Sequence, residues 1–205
     1  NVADEVYRMN EAKDNLIVGE ISETHPLKPG EGFFVKATAE NASITFNGQT
    51  RGAAEALEPA ERPAIVLNLT QNGLLIARLI LKRAGEPLEK LTLNENNTRI
   101  YATQDGQDYA VIPVVSTDVA PNVSTNEIPV NFKAAKNGTY TVSVNAKNME
   151  LDYLHLIDNL TGADVDLLHP NAVIAGEDPQ SPTPSYTFTA KTTDYASRFR
   201  LVFAA

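Results

Sequence analysis

The sequence predicts an all-β protein, built as an antiparallel β-sandwich of jelly-roll or immunoglobulin-like type. Short apolar or alternating segments recur along the 205 residues, and turn signals separate them about every eight to twelve residues, as in sandwiches. Helical patterns are nearly absent, and no strand–helix–strand alternation of the kind that builds a parallel sheet occurs. The length suits one large sandwich or two small domains, since domains have about 100–200 residues.

The N-terminal part predicts short strands around a turn. Residues 16–18 form an apolar strand candidate, and the prolines and glycines of residues 26–32 mark a turn. Residues 32–37 and 43–46 then predict two strands, because their side chains alternate with the period of two of a strand. Residues 38–42 would join them as a hairpin.

One helical candidate separates this part from the rest. Residues 51–60 are rich in alanine and glutamate, which favour helix, but Pro59 and Pro63 limit it to a short helix near residues 51–60. We predict a domain boundary there. Residues 1–56 would be a β-rich N-terminal segment, the tail of an upstream sandwich domain, and residues 57–205 a C-terminal β-sandwich domain.

Strands follow in series after this boundary. Residues 64–70 place Ile65, Leu67 and Leu69 on one face, and residues 74–82 are apolar enough for burial on both faces. Further strands are predicted at 99–102, 109–115, 128–132, 139–144, 153–157, 165–168, 185–190 and 199–203. Four dipeptides are expected to set hairpins, because they suit tight turns: Asn72-Gly73, Asp105-Gly106, Asn137-Gly138 and Thr161-Gly162.

Charge and composition exclude several partner classes. The formal net charge is −9, whereas nucleic acids and anionic membrane surfaces need a basic protein face. No apolar run approaches the roughly 20 residues that span a bilayer. We therefore expect no nucleic-acid partner and no membrane insertion. The chain has no cysteine and begins without a leader, so we expect any export signal to have been removed.

Residues that carry chemistry are few. The three histidines, His25, His155 and His169, are not spaced as metal ligands, and no cysteine can complement them. Motifs of serine hydrolases, zinc proteases, P-loops and dinucleotide-binding folds are absent. We predict a chain that is not an enzyme, with no catalytic residue, no cofactor and no metal.

Asp158, Asp164 and Asp166 form the one cluster that looks like a site. Carboxylates at alternate positions can ligate Ca²⁺, which needs about six to eight oxygens. Asp164 and Asp166, however, share one face of a predicted strand, and no distal glutamate follows in register. We favour a polar outer face and leave calcium binding open. Four tyrosines are candidates for a sugar-stacking platform, although a role in the core or at its rim is the simpler interpretation: Tyr101, Tyr109, Tyr153 and Tyr195.

Several stretches match a pattern found in one group of bacterial proteins. They are residues 29–35, 130–135, 137–142, 153–162, 166–168, 184–188 and 197–201, and residues 153–162, YLHLIDNLTG, are the most diagnostic. With these stretches the chain resembles the C-terminal β-sandwich module of large secreted and surface proteins of gut Bacteroidetes, which are often described as adhesin-like. The proline-rich residues 171–182 look like an insertion in this pattern.

The resemblance implies a non-catalytic surface module of a larger protein, for cell adhesion or interaction. It implies a location outside the cell or on the outer-membrane surface of a Gram-negative bacterium, and an unknown protein or glycan ligand. A carbohydrate-binding module of a polysaccharide-degrading system is one alternative, and a structural spacer or secretion-sorting domain is another. We expect the chain to be a monomer.

Overall fold

A computed structural model describes residues 2–21, 25–45, 63–113, 126–169 and 184–204. Strands make up 57% of these residues, which contain no helix and hence none long and apolar enough to cross a bilayer. The prediction of an all-β chain is confirmed. Three features of the sequence lie outside the described residues and stay predictions: the helix near residues 51–60, the boundary at residues 56/57 and the insertion at the proline-rich residues 171–182.

Fourteen strands in two sheets make up the described fold. The smaller sheet is antiparallel, has the order β2-β1-β3, and consists of β1 (Val2–Met9), β2 (Leu16–Glu20) and β3 (Phe33–Ala37). The larger sheet contains β4 (Ala64–Gln71), β5 (Leu74–Lys82), β6 (Leu88–Glu89), β7 (Arg99–Gln104), β8 (Gln107–Pro113), β9 (Asn126–Lys133), β10 (Gly138–Lys147), β11 (Tyr153–Asp158), β12 (Ala163–Asp166), β13 (Ser185–Ala190) and β14 (Phe199–Ala204).

The larger sheet runs in the order β12-β11-β14-β9-β7-β8-β5-β4-β10-β13, with β6 beside β8. Its pairs are antiparallel except one, because β5 and β8 run parallel, with Ile80 opposite Val111. The expectation of a purely antiparallel sheet is therefore wrong at this place.

Strands that change partner along their length bend this sheet. The first half of β7 pairs with β9, through Tyr101 opposite Asn131, and its second half pairs with β8, through Thr103 opposite Asp108. Partner changes of this kind turn corners in packed β-structures. The result is one nearly closed, barrel-like sheet and not a clear two-sheet sandwich.

Aromatic side chains close the barrel from within. Phe188 on β13 contacts Phe132 on β9 and Phe199 on β14, with ring centroids 5.2 and 5.0 Å apart. Tyr140 on β10 meets the same Phe132 at 5.3 Å. These three contacts are edge-to-face, an arrangement that aromatic rings favour. Strands from opposite ends of the strand order therefore share one core.

The smaller sheet covers the outer face of β4 and β5. Tyr7, Leu16 and Val18 pack there with Val66 and Ile80, while Leu79 and Leu81 of β5 point into the main core. The prediction of burial on both faces holds for residues 79–82, whereas Leu74 at the start of β5 is exposed. Between the sheets, Lys82 Nζ lies 2.5 Å from Glu5 Oε1, and both side chains are buried.

The turns largely follow the sequence signals. Asn72-Gly73 and Asp105-Gly106 have positive φ at both positions, as a type I′ hairpin turn requires, and they join β4 to β5 and β7 to β8. Gly162, with φ of 76°, lies in the β11–β12 hairpin. The hairpin expected at Asn137-Gly138 is wrong, because β10 pairs with β4 and β13 and β9 pairs elsewhere.

Further segments differ from the sequence prediction. Residues 43–45 are not in a strand and Phe46 lies outside the described residues, so β3 pairs with β1 instead of a following strand. The charged residues within β1 hide its strand pattern. The strand expected at 165–168 ends at Asp166, because its Oδ1 accepts the backbone N–H groups of Leu168 and His169 and turns the chain.

The contact between Glu5 and Lys82 can be tested by substitution. We expect Lys82→Met to lower the free energy of unfolding by about 3–5 kcal/mol, because it leaves the Glu5 carboxylate buried and unpaired. The double variant with Glu5→Met should regain most of that loss, since a buried ion pair is often replaced at little cost by apolar residues. Urea unfolding followed by circular dichroism measures both.

The exposed pair of Lys36 and Glu89, 3.3 Å apart, supplies the matched control. Lys36→Met should change the free energy of unfolding by no more than about 1 kcal/mol, because exposed pairs contribute little. Equal effects at Lys82 and Lys36 would contradict the packing of the smaller sheet on β5.

Candidate functional site

Asp158 ends β11 and is completely buried. Arg198, which is 1% exposed, binds its carboxylate with Nε 3.1 Å from Oδ1 and Nη2 2.9 Å from Oδ2. The Tyr186 hydroxyl and the Leu160 backbone N–H each donate to it at 3.0 Å. These four donors occupy the carboxylate, so Asp158 is not placed to ligate a cation. Its buried position also separates it from Asp164 and Asp166, the side chains of which are exposed to solvent.

Arg198 joins this carboxylate to the opposite end of the strand order. Its Nη1 donates to the Thr189 carbonyl of β13 at 2.9 Å and lies 3.4 Å from Asp194 Oδ2. Its guanidinium also lies over the Phe188 ring, 4.5 Å from the centroid, a favourable cation–π position. The Asp158–Arg198 pair is therefore a structural bridge between β11 and β13.

The pKa of Asp158 lies below its ordinary value. Burial of the carboxylate acts to raise the pKa, but the hydrogen bond from Arg198 and the further donors outweigh it. Burial raises the pKa of Tyr186, the hydroxyl of which donates to this ionised carboxylate. The site is thus built around a charged Asp158.

The other two aspartates lie on the outer face of the β11–β12 hairpin, in a cluster that we call the Tyr153 surface: Tyr153, His155, Asp164, Asp166 and His169. Asp164 Oδ1 is 2.6 Å from His155 Nδ1. Asp166 Oδ2 is 4.0 Å from His155 Nε2 and 3.2 Å from His169 Nδ1. The Tyr153 ring stacks on the His155 ring, with centroids 4.0 Å apart and planes 4° from parallel.

The pKa of Asp166 is lowered. The main cause is the backbone N–H of His169, which donates to its carboxylate and outweighs the small effect of burial. Its side chain is 37% exposed, so this ionised carboxylate faces solvent beside two histidines. The Tyr153 surface therefore combines an exposed aromatic ring with histidine rings and with carboxylates that accept hydrogen bonds.

The arrangement orients His155 beside an exposed aromatic ring. A histidine oriented by an aspartate can activate a nucleophile that contacts its other nitrogen, but the structure places the Asp166 carboxylate near His155 Nε2. Among the described residues, no group of three or more histidines and carboxylates is arranged to hold a metal ion. The surface can offer an aromatic face and charged hydrogen-bonding groups to a partner, as binding sites commonly do.

The remaining sequence candidates are scattered. Tyr101 is buried and Tyr109 packs beside the main core, while Tyr195 is exposed in the connection before β14. The His25 carbonyl accepts a hydrogen bond from Arg8 at 2.7 Å. The four tyrosines therefore do not form a platform. The outer face of β10 and β13 carries only small hydroxyl residues at its paired positions: Thr139, Thr141, Ser143, Ser185, Thr187 and Thr189.

Sequence reasoning missed the role of Arg198. Its one available signal is a cation directly before the apolar strand β14, where a buried charge requires a partner. The separation of Asp158 from Asp164 and Asp166 was likewise not evident, because alternation along β11 and β12 does not reveal which face is covered. Residues 158 and 198 meet only through the pairing of β11 with β14.

Comparison with known proteins finds no family model that matches the chain, and no curated protein and no solved structure matches it either.

The bridge between β11 and β13 makes stability depend on pH in a defined window. The folded-state pKa of Asp158 is depressed, so its contribution is fully present above the unfolded-state pKa of about 3.9 and is lost as pH falls through the folded value. We expect the free energy of unfolding to drop below about pH 4. Asp158→Asn should flatten this part of the profile, whereas the exposed-site control Asp152→Asn should retain it.

Arg198→Met tests the same bridge at neutral pH. We expect it to lower the free energy of unfolding by about 3–5 kcal/mol, since it leaves Asp158 charged and buried without its cation. Urea titration at pH 7 measures the loss. An effect below about 1 kcal/mol, the size typical of an exposed ion pair, would show that the bridge does not hold the barrel closed.

Proposed function

We propose that this chain is a non-catalytic surface module of a larger bacterial protein, and that it mediates cell adhesion or another binding interaction. The proposal places it outside the cell or on the outer-membrane surface of a Gram-negative bacterium. It rests on the resemblance described above and on the Tyr153 surface. Both involve the same segment, residues 153–162, which carries the most diagnostic stretch and contributes the exposed Tyr153–His155 stack.

The Tyr153 surface supports binding because it is an exposed but ordered feature. The Tyr153 ring is 37% exposed and is held flat by His155, which Asp164 orients in turn. Rigid aromatic side chains bind at low entropic cost, since few rotamers are lost. The flanking carboxylates of Asp164 and Asp166 can accept hydrogen bonds from a cationic or hydroxyl-rich partner.

Structural spacing or sorting is the second candidate function. It is favoured by the structural use of the buried charges, because the pairs Glu5–Lys82 and Asp158–Arg198 both hold strands together. A carbohydrate-binding module draws less support, since the tyrosines are scattered and the face of β10 and β13 carries small hydroxyl residues. Deletion of this chain from the parent protein tests the spacer or sorting function. Loss of surface display would support that function, and normal display would rule it out.

Arrays of surface glycans, cell-wall polysaccharides and extracellular matrix proteins test the binding proposal. We expect the chain to bind at least one ligand, and Tyr153→Ala to weaken that binding by at least tenfold, because it removes the aromatic contact. Tyr195→Ala is the matched control, since Tyr195 is similarly exposed at 47% but lies outside the cluster. Failure to bind any arrayed ligand, or equal loss in both variants, would contradict the proposal.

A further inference from the structure

A group of cations lies on the outer face of β7 and β9, on different strands from the Tyr153 surface. Arg99 and Tyr101 of β7 alternate with the core residue Ile100. Arg99 lies opposite Lys133 of β9, and residues directly opposite each other point to the same side of a sheet. Two like charges therefore face each other across this strand pair, an arrangement that is unfavourable on its own.

Lys90 adds a third and buried cation. It directly follows β6, and its backbone N–H donates to the Asp108 carbonyl at 2.8 Å. Within the described part of the chain, its Nζ is shielded from solvent and has no hydrogen-bond partner, and the same is true of Arg99 Nε. Burial, together with the neighbouring charge of Arg99, lowers the pKa of Lys90 to about 8. One polar atom of each side chain is thus desolvated and unsatisfied.

No carboxylate compensates these cations among the described ion pairs. The other two buried cations, Lys82 and Arg198, each have an aspartate or glutamate within 3 Å. Asp108 lies on the same face as Arg99 and its Oδ1 accepts the Thr103 hydroxyl at 2.7 Å, but it forms no ion pair with these cations within the described residues. Buried charge without a partner is costly, and this cluster occurs in a chain of net charge −9.

We propose that Lys90, Arg99 and Lys133 form a binding site for an oxyanion, namely a sulfate, phosphate or carboxylate group. Lys133 is exposed and Arg99 is half-buried, so the ligand approaches from this side, while the Lys90 Nζ is buried and acts through its charge. The site is independent of the adhesion proposal, because it shares no residue with the Tyr153 surface.

The chemistry of the three groups is complementary. A guanidinium offers two parallel donors to an oxyanion, whereas an ammonium acts as a point charge. The Tyr101 ring lies 5.7 Å from the Arg99 Cζ and helps to hold the guanidinium in place. The amide of Asn131 donates one N–H to the Thr103 hydroxyl at 2.8 Å on the same face, and its second N–H and its oxygen can bind further polar groups of a larger ligand.

Thermal unfolding with added anions tests the site. Sodium sulfate and sodium phosphate at 50 mM are compared with sodium chloride at equal ionic strength, and a sulfated disaccharide forms a third arm. We expect the oxyanions to raise the Tm by about 2–4 °C beyond chloride, as millimolar binding would. A larger shift with the disaccharide at lower concentration would identify a glycan as the source of the oxyanion.

Lys90→Met and Arg99→Gln should abolish this oxyanion-specific shift, and Lys191→Gln, an exposed lysine on another face, should retain it. Lys90→Met should also raise the Tm without added anion, because it removes an uncompensated buried charge.

In the unsubstituted chain, the rise in Tm caused by the oxyanion should become smaller as pH rises through about 8, since Lys90 then loses its proton. An equal oxyanion shift in Lys90→Met, or no shift beyond chloride in the unmodified chain, would overturn the proposal.

Discussion

The ion pair between Asp158 and Arg198 holds together two parts of the barrel that are not neighbours in the strand order. Asp158 lies on β11, one strand from one edge of the sheet, and Arg198 extends to Thr189 of β13 at the other edge. A sheet that bends until its edges meet leaves a seam without a continuous ladder of backbone hydrogen bonds. Side chains must connect that seam, and a bidentate, fully buried ion pair does so with defined geometry.

The aromatic core and the ion pair depend on each other. Phe188 and Phe199 lie against the guanidinium of Arg198, so the rings exclude water from the pair and the pair fixes the positions of the rings. Exclusion of water strengthens the electrostatic attraction and also makes any unpaired member costly. The second buried pair, Glu5–Lys82, acts in the same way between the two sheets. The cations around Arg99 differ from these two pairs, because no carboxylate among the described residues forms an ion pair with them.

Local patterns predicted local structure well. The hairpins at Asn72-Gly73 and Asp105-Gly106 followed from turn chemistry, and the burial of both faces in the second half of β5 followed from its continuous apolar run. The pairing of strands that are distant in the sequence could not be predicted from these local patterns. The parallel pairing of β5 with β8, the partner change within β7 and the meeting of Asp158 with Arg198 depend on how distant strands are ordered, which alternation does not encode. The same limit explains why Asp158, Asp164 and Asp166 looked like one cluster.

The strand order also has a consequence for how the chain folds. Thr70 of β4 contacts Thr141 of β10, 71 residues later, and Tyr7 contacts Glu89, 82 residues later. Folding slows as contacts become more distant in sequence, and β-proteins rich in such contacts fold on the order of milliseconds to seconds. Until β14 has paired with β9 and β11, strand edges stay open to other chains. A protein built in this way gains from a chaperone, or from low local concentration, during that interval.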